Sequence, residues 1–278
     1  MAKGQGHGAV DRVLKHLDDC AMVDLSRPWP LGLGEKRWWI AVIGAILCLL
    51  VAFPFDHELS VLAQSLPKVL LDVLAQFTPY GESAWILIPA GVLYVITVPL
   101  ALLVRWKLMR TILWQFAALY AFIFVGVGLP SLFAAIIKRF VGRGRPMQFD
   151  QTGLFGFKFN LWDWTYQSFP SGHSTTAFAL AAVLGFVSPR WFYPALLLAA
   201  GIALSRVTEG VHYPSDIIAG AIVGLLGAYA VRWLFARHGW MFAGVADGRI
   251  KTRAMTSLFR YLALKKRDTA KALKPGRP

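Results

Sequence analysis

Two histidines in the second half of the chain, His173 and His212, sit in short polar runs that border long apolar ones. Ionisable groups beside apolar runs are costly unless they are paired or put to use, so chemistry is to be sought here first. The runs read KRFVGRGRP at 138–146, PSGH at 170–173 and SRVTEGVHYPSD at 205–216. The first supplies cations. Arg145 presents a planar fork to the oxygens of a phosphate-like anion and Lys138 a movable point charge, while Gly142 and Gly144 let the backbone bend round it. The second opens a helix: Pro170, Ser171 and Gly172 precede an apolar run, so the free N–H groups of a helix start and the Ser171 hydroxyl can hold an anion beside His173. The third adds the cation Arg206 and places Asp216 four residues after His212. With a helix beginning near Pro214, Asp216 lies one turn beyond His212, accepts its ring N–H, and leaves the other nitrogen free to attack. A carboxylate behind an imidazole fixes its tautomer and steadies the cationic ring.

Each group also has a plainer reading. Cations beside an apolar run anchor lipid headgroups, and that reading is given to Arg139 and Arg143, which stay outside the site. Ser171 can serve as an N-cap, His173 as an interfacial histidine and Asp216 as a helix cap. Glu209, between Arg206 and His212, has no assigned role.

These runs can meet only if the apolar segments between them bring them to one depth. Of the 278 residues 56% are AVILMFWYC and 16% charged, against roughly half apolar and a quarter charged in soluble domains. A mean hydropathy of +0.53, with 11 Trp and 19 Phe, excludes a disordered chain. Lipid is the expected solvent. A helix needs about 20 mostly apolar residues to cross the hydrocarbon core, and six segments approach that: 38–55, 83–104, 111–137, 174–188, 191–205 and 217–236. The first three contain no Asp, Glu, Lys or Arg, and the last carries Arg232 near one end, where it can snorkel. The predicted fold is all-α: a six-transmembrane-helix bundle over 38–236, between a polar N-terminal segment, 1–37, and a basic tail, 237–278. Apolar residues at spacings of three and four, from Leu66 to Phe77 and from Val10 to Leu17, suit amphipathic helices on the interface or packed on the bundle. Cys48, inside an apolar run, reads as a small buried hydrophobe, and two cysteines are too few for a disulfide framework.

Basic residues orient the bundle. Arg105, Lys107 and Arg110 crowd one short loop, and the stretch from Arg232 onward has twelve Lys plus Arg against Asp247 and Asp268, so both are placed in the cytoplasm. The stretch with Asp56, Glu58, Asp72 and Glu82 against Lys68 then faces outward, as do the three polar runs. This describes an integral protein of the inner or plasma membrane, with both termini cytoplasmic and the site facing the periplasm. The tail can also touch anionic lipid, each cation adding about 1 kcal/mol. Nucleic acid is not an expected partner, since no recognition helix, zinc finger or aromatic RNA-binding motif is present.

The three runs together resemble the signature KxxxxxxRP, PSGH and SRxxxxxHxxxD of the type 2 phosphatidic acid phosphatase (PAP2) superfamily, and every specified position is matched. What the resemblance implies is a phosphatase that needs no metal or other cofactor. His212 would be the nucleophile, forming a phosphohistidine; Asp216 would orient it; His173 would protonate the leaving oxygen and then activate water. Lys138, Arg145, Ser171, Gly172 and Arg206 would hold the phosphoryl oxygens. Such a division suits a transition state that spreads charge over three equatorial oxygens. The implied substrates are lipid phosphates or diphosphates: undecaprenyl diphosphate, phosphatidylglycerol phosphate, phosphatidic acid or a lipid A-like glycolipid. The expected reaction is hydrolysis. Phosphotransfer to a second lipid uses the same intermediate, and a non-enzymatic scaffold or transporter is the reading outside enzymology. The aromatic stretch FGFKFNLWDWTYQSF before PSGH shapes acyl-chain access or forms an interfacial belt.

Overall fold

A computed structural model describes residues 22–24, 38–159, 161–245, 249–252, 258, 261–262 and 264–265. The periodic stretch at 10–17 and most of the basic tail lie outside the described residues. Helix α1, Trp38–Ala52, passes through a 3-10 turn at Pro54 into α2, Asp56–Gln64. Pro67 caps α3, Lys68–Ala75, and a 3-10 turn, Thr78–Gly81, leads to α4, Ala84–Leu103. The 35-residue α5, Lys107–Val141, stops at Gly142, whose φ of 62° is the left-handed conformation that glycine adopts without strain. A long polar loop then precedes α6, Gly172–Val187, α7, Phe192–Thr208, and α8, Pro214–Arg237.

Five stretches are long and apolar enough to cross a membrane: Val42–Gln64, Lys68–Leu103, Lys107–Val141, Pro189–Thr208 and Pro214–Arg237. The protein is therefore an integral membrane protein, and its architecture is helical, as the composition predicts. The six-span count is not reproduced. The segment expected at 174–188 forms α6, which at 16 residues is too short to qualify. Its setting explains the shortness. None of its residues is exposed, and it packs against α5, α7 and α8. A helix sheathed by protein has no lipid-facing length to satisfy. Contact with α8 is close because small residues line it: a Cβ on Gly220 would lie 2.5 Å from the carbonyl oxygen of Ser171, and one on Gly224 2.4 Å from that of Thr175.

A cluster of rings and branched side chains locks the far half of the bundle. Phe122 of α5 meets Phe235 of α8 at 5.2 Å and Phe242 at 5.0 Å between centroids, with Val127, Val183 and Val231 buried around them. Phe242 opens a strand, β2, Phe242–Val245, that pairs with β3, Arg249–Thr252; β3 in turn pairs with β1, Met22–Asp24. This small antiparallel sheet is an addition to the all-α expectation. Its strands are too short to carry the hydrophobic alternation by which a sequence announces a strand. Two further expectations are corrected or refined. Cys48 is exposed on α1 and not buried, because that helix lies at the periphery with its apolar side chains turned outward. The periodic stretch at 66–77 is helical over α3, with Val69, Leu70 and Val73 exposed, while Phe77 packs beneath it against a small cluster that includes Ala199 and Ile202.

Candidate active site

Antiparallel helices bring the polar runs to one end of the bundle. Lys138 lies in the last turn of α5, Arg206 in the last turn of α7, His173 in the first turn of α6 and Asp216 in the first turn of α8. Arg145 and His212 sit in the adjoining loops. His173 lies within electrostatic reach of Arg206, His212, Lys138 and Arg145, so the four cluster, although Lys138 and His212 are 74 residues apart. The basic loop before α5 is at the opposite end of the bundle, where Trp106 meets Tyr261.

His212 is 4% exposed. Its Nδ1 stands 3.4 Å from the Ser168 hydroxyl and 3.7 Å from Oδ2 of Asp216. The carboxylate is thus behind the ring as expected, at ion-pair distance and not in the direct hydrogen bond that the spacing suggests. Ser168 stands between them, donating to the same Oδ2 at 2.5 Å. Burial holds the His212 imidazole below its usual proton affinity; Asp216 opposes this and Arg145 and Arg206 reinforce it. This favours the neutral form of the ring. Asp216 also accepts the Tyr213 N–H at 2.8 Å, so it caps α8 and faces the histidine at once. The capping reading of Asp216 is realised, and the carboxylate stands near the histidine without the direct hydrogen bond expected of it.

Several donors are left unspent. Ser171 is fully buried at the start of α6, and its Oγ, like that of Ser174 and the Nε of Arg206, has no hydrogen-bond partner among the described residues. A buried polar atom without a partner is expensive unless a ligand completes it. Gly172 follows Ser171 with open space where a side chain would be. Arg206 pairs through Nη1 with Glu209 at 2.6 Å, and Glu209 also accepts from Thr78, which gives that glutamate the tethering part that its sequence context concealed. The turn carrying Thr78 also seats His173: a Cβ on Gly81 would come within 2.7 Å of its ring.

The loop before α6 is sewn to the cationic run. Gly144 donates to Gly156 at 2.8 Å, Lys158 to Gly142 at 2.7 Å and Arg145 to Thr165 at 2.8 Å, while the Arg145 guanidinium lies 4.8 Å from the Trp164 ring centroid. Phe155, Phe159 and Trp162 of this loop are exposed.

Sequence reasoning missed Arg143, Asp56 and Ser168 of this centre. Arg143, read as a headgroup anchor, is 1% exposed and bonds Asp216, Asp56 and Ser215. Asp56, counted among the acids of an outward loop, is fully buried at the start of α2. Arg139, by contrast, is exposed, as an anchor should be.

A lipid A 1-phosphatase of Rhizobium johnstonii is 31% identical to this chain over 236 residues, which cover 81% of this chain and 93% of that protein. The family model of the PAP2 superfamily matches residues 118–240, the stretch that holds all three polar runs. The chain belongs to the PAP2 superfamily. A second relative, a lipid A 1-phosphatase of Rhizobium etli, is 32% identical over 67% of this chain and 80% of its own length. A shorter match, to an undecaprenyl-diphosphatase of Sulfolobus acidocaldarius, is 39% identical over 22% of this chain and 30% of that protein. No solved structure matches. The chain is accordingly a PAP2 lipid phosphatase family enzyme, and the residues that the signature singles out are those the PAP2 fold here gathers at one end of the bundle.

Proposed function

We propose that this PAP2 enzyme hydrolyses the phosphate of a membrane lipid of the lipid A 1-phosphate class, through a phosphohistidine on His212. The observation that carries the proposal is the buried His212 ring, backed on its Nδ1 side by Ser168 and Asp216 and surrounded by Arg145, Arg206 and His173. Lys138, Arg145, Arg206, the Ser171 hydroxyl and the backbone at Gly172 hold the phosphoryl oxygens. The free nitrogen of His212 attacks phosphorus, the bond to the sugar oxygen breaks, and His173 gives that oxygen its proton. Water then attacks the phosphohistidine, losing a proton to His173, and releases phosphate. The cations do the charge-neutralising work, so no metal takes part. The substrate class is taken from the two relatives with the longest matches quoted above.

The topology belongs to the same proposal. α6 is a sixth crossing enclosed by the others, both termini are cytoplasmic, and the site opens to the outer leaflet. The short basic loop before α5 supports this orientation. A panel of lipid phosphates with phosphate release as the readout, run in chelator, is the test. Release fastest from the lipid A-type 1-phosphate, unchanged by chelator and lost in His212→Ala, is expected. Wild-type turnover by His212→Ala overturns the mechanism, label moved to an acceptor lipid instead of water identifies a transferase, and a faster prenyl diphosphate changes the substrate class.

A further inference from the structure

Arg143 makes three short contacts with one planar group. Its Nη1 lies 2.6 Å from Oδ1 of Asp216 and 2.7 Å from Oγ of Ser215, and its Nη2 lies 2.7 Å from Oδ2 of Asp56. The faces of the guanidinium are occupied too, with its carbon 4.4 Å from the ring centroids of both Phe53 and Tyr213. Asp56 is held in turn, accepting the Ser215 N–H at 2.8 Å and the Ser215 hydroxyl. A fork gripped at both edges and both faces cannot rotate. The two oxygens of Asp216 therefore have separate tasks: Oδ1 takes Arg143, and Oδ2 takes Ser168, the Tyr213 N–H and the His212 side.

We propose that Arg143 is a positioning residue of the catalytic centre: gripped by Asp56, Phe53 and Tyr213, it fixes the plane and charge of Asp216 and through it the orientation of His212. The proposal rests on the reading of His212 as nucleophile. Among the charged groups around Asp216 and His212, Arg145 lies in the loop, Arg206 on α7, His173 on α6 and Asp56 on α2. Arg143 is the cation that bonds Asp216 directly. Its partners come from α2 and from α8, so the same residue ties α2, which follows the peripheral α1, to the site.

Without Arg143, Asp216 and Asp56 share a buried region with no cation between them. Both consequences point one way: Asp216 binds a proton more readily, and a His212 that keeps a charged Asp216 also does so. Either removes the working protonation state at a higher pH. In the full-length enzyme in detergent, Arg143→Met is expected to lower kcat about 10- to 100-fold, as for outer partners that orient a ligating histidine. KM for the best lipid phosphate should stay within a few-fold, because the phosphate-binding cations are untouched. The acid limb of kcat/KM should move to higher pH. Arg143→Lys keeps the charge without the fork, so its limb should stay near wild type with an intermediate kcat.

Arg143→Met/Asp56→Asn guards against a protein that simply fails to fold, since it removes the carboxylate left without its partner. A double variant that melts like the wild type, yet keeps the lowered kcat and the shifted limb, supports positioning. Recovery of kcat together with thermal stability shows a structural tie only and overturns the proposal. Wild-type kcat and acid limb in Arg143→Met, with His212→Ala inactive, overturn this proposal alone. Wild-type turnover by His212→Ala overturns the reading on which it rests.

Discussion

A histidine held neutral by burial gives the enzyme a defined response to acid. The unperturbed imidazole titrates near about 6.5, and the His212 value lies below that, burial being the main cause. The neutral form, the one proposed to attack, therefore persists on lowering the pH past the ordinary value, and activity should fall only as the medium passes the depressed one. The acid limb of kcat/KM, measured with a saturable lipid phosphate, should lie below about pH 6.5. His212→Ala should lose roughly 10³-fold or more in kcat, since nothing else in the site supplies the attacking atom. His173→Ala should lose about 100-fold on a sugar or alkyl phosphate and less on an aryl phosphate, whose leaving group needs no proton; equal losses on both would remove His173 from the acid role. The signature residues were legible because each of the three runs is local: His212 and Asp216 are four residues apart, and Ser171 and His173 are near neighbours. Arg143 and Asp56 were not, because their ion pair joins positions 87 residues apart. A signal did exist. Asp56 is a carboxylate directly after an apolar helix, where an unpaired charge is costly, and reading it as a member of a partnership would have sent the search toward a cation such as Arg143.

Helix ends and helix contacts decide whether those side chains stay together. Gly142 ends α5 and sits so close to the aromatic loop that a Cβ there would fall 2.0 Å from the Lys158 carbonyl oxygen. Gly142→Ala meets both that clash and a left-handed backbone, which alone costs an L-residue about 1–2 kcal/mol. Loosening of the Gly142–Lys158 pairing should displace Arg145, so KM for lipid phosphate should rise more than kcat falls. Gly224→Ala acts on another contact, forcing α8 from the backbone of α6 at Thr175; overpacking of this kind costs about 1–3 kcal/mol and should appear as a lowered melting temperature in detergent. The lengths of the apolar runs predicted six spans, of which five coincide with helices long enough to cross and the sixth, 174–188, forms a shorter helix. They could not foresee that the sixth would lie wholly among its neighbours, since a 16-residue apolar run carries no record of what surrounds it. The strands β1, β2 and β3 were equally silent, with three or four residues each.

At the scale of the whole molecule, charge and hydropathy are divided along the bundle. The cations proposed to hold phosphate lie at one end, and the loop between α4 and α5, with Arg105, Lys107 and Arg110, lies at the other. If the site opens outward, a cysteine introduced at the exposed Asp150 should react with an impermeant maleimide in intact cells, and one introduced at Arg105 only after the membrane is broken. The reverse pattern would invert the proposed topology. The enclosure of α6 has a consequence of its own. Lipids shorter or longer than the protein's apolar girth press on the helices that touch them, tilting or stretching them at fractions of a kcal/mol per Å. α6, which begins at Gly172 and carries His173, is shielded from that mismatch by α5, α7 and α8 packed against it. Turnover in vesicles should therefore vary little as the host acyl chains are lengthened, with the outer helices absorbing the strain as an insulating jacket does for the shaft it encloses.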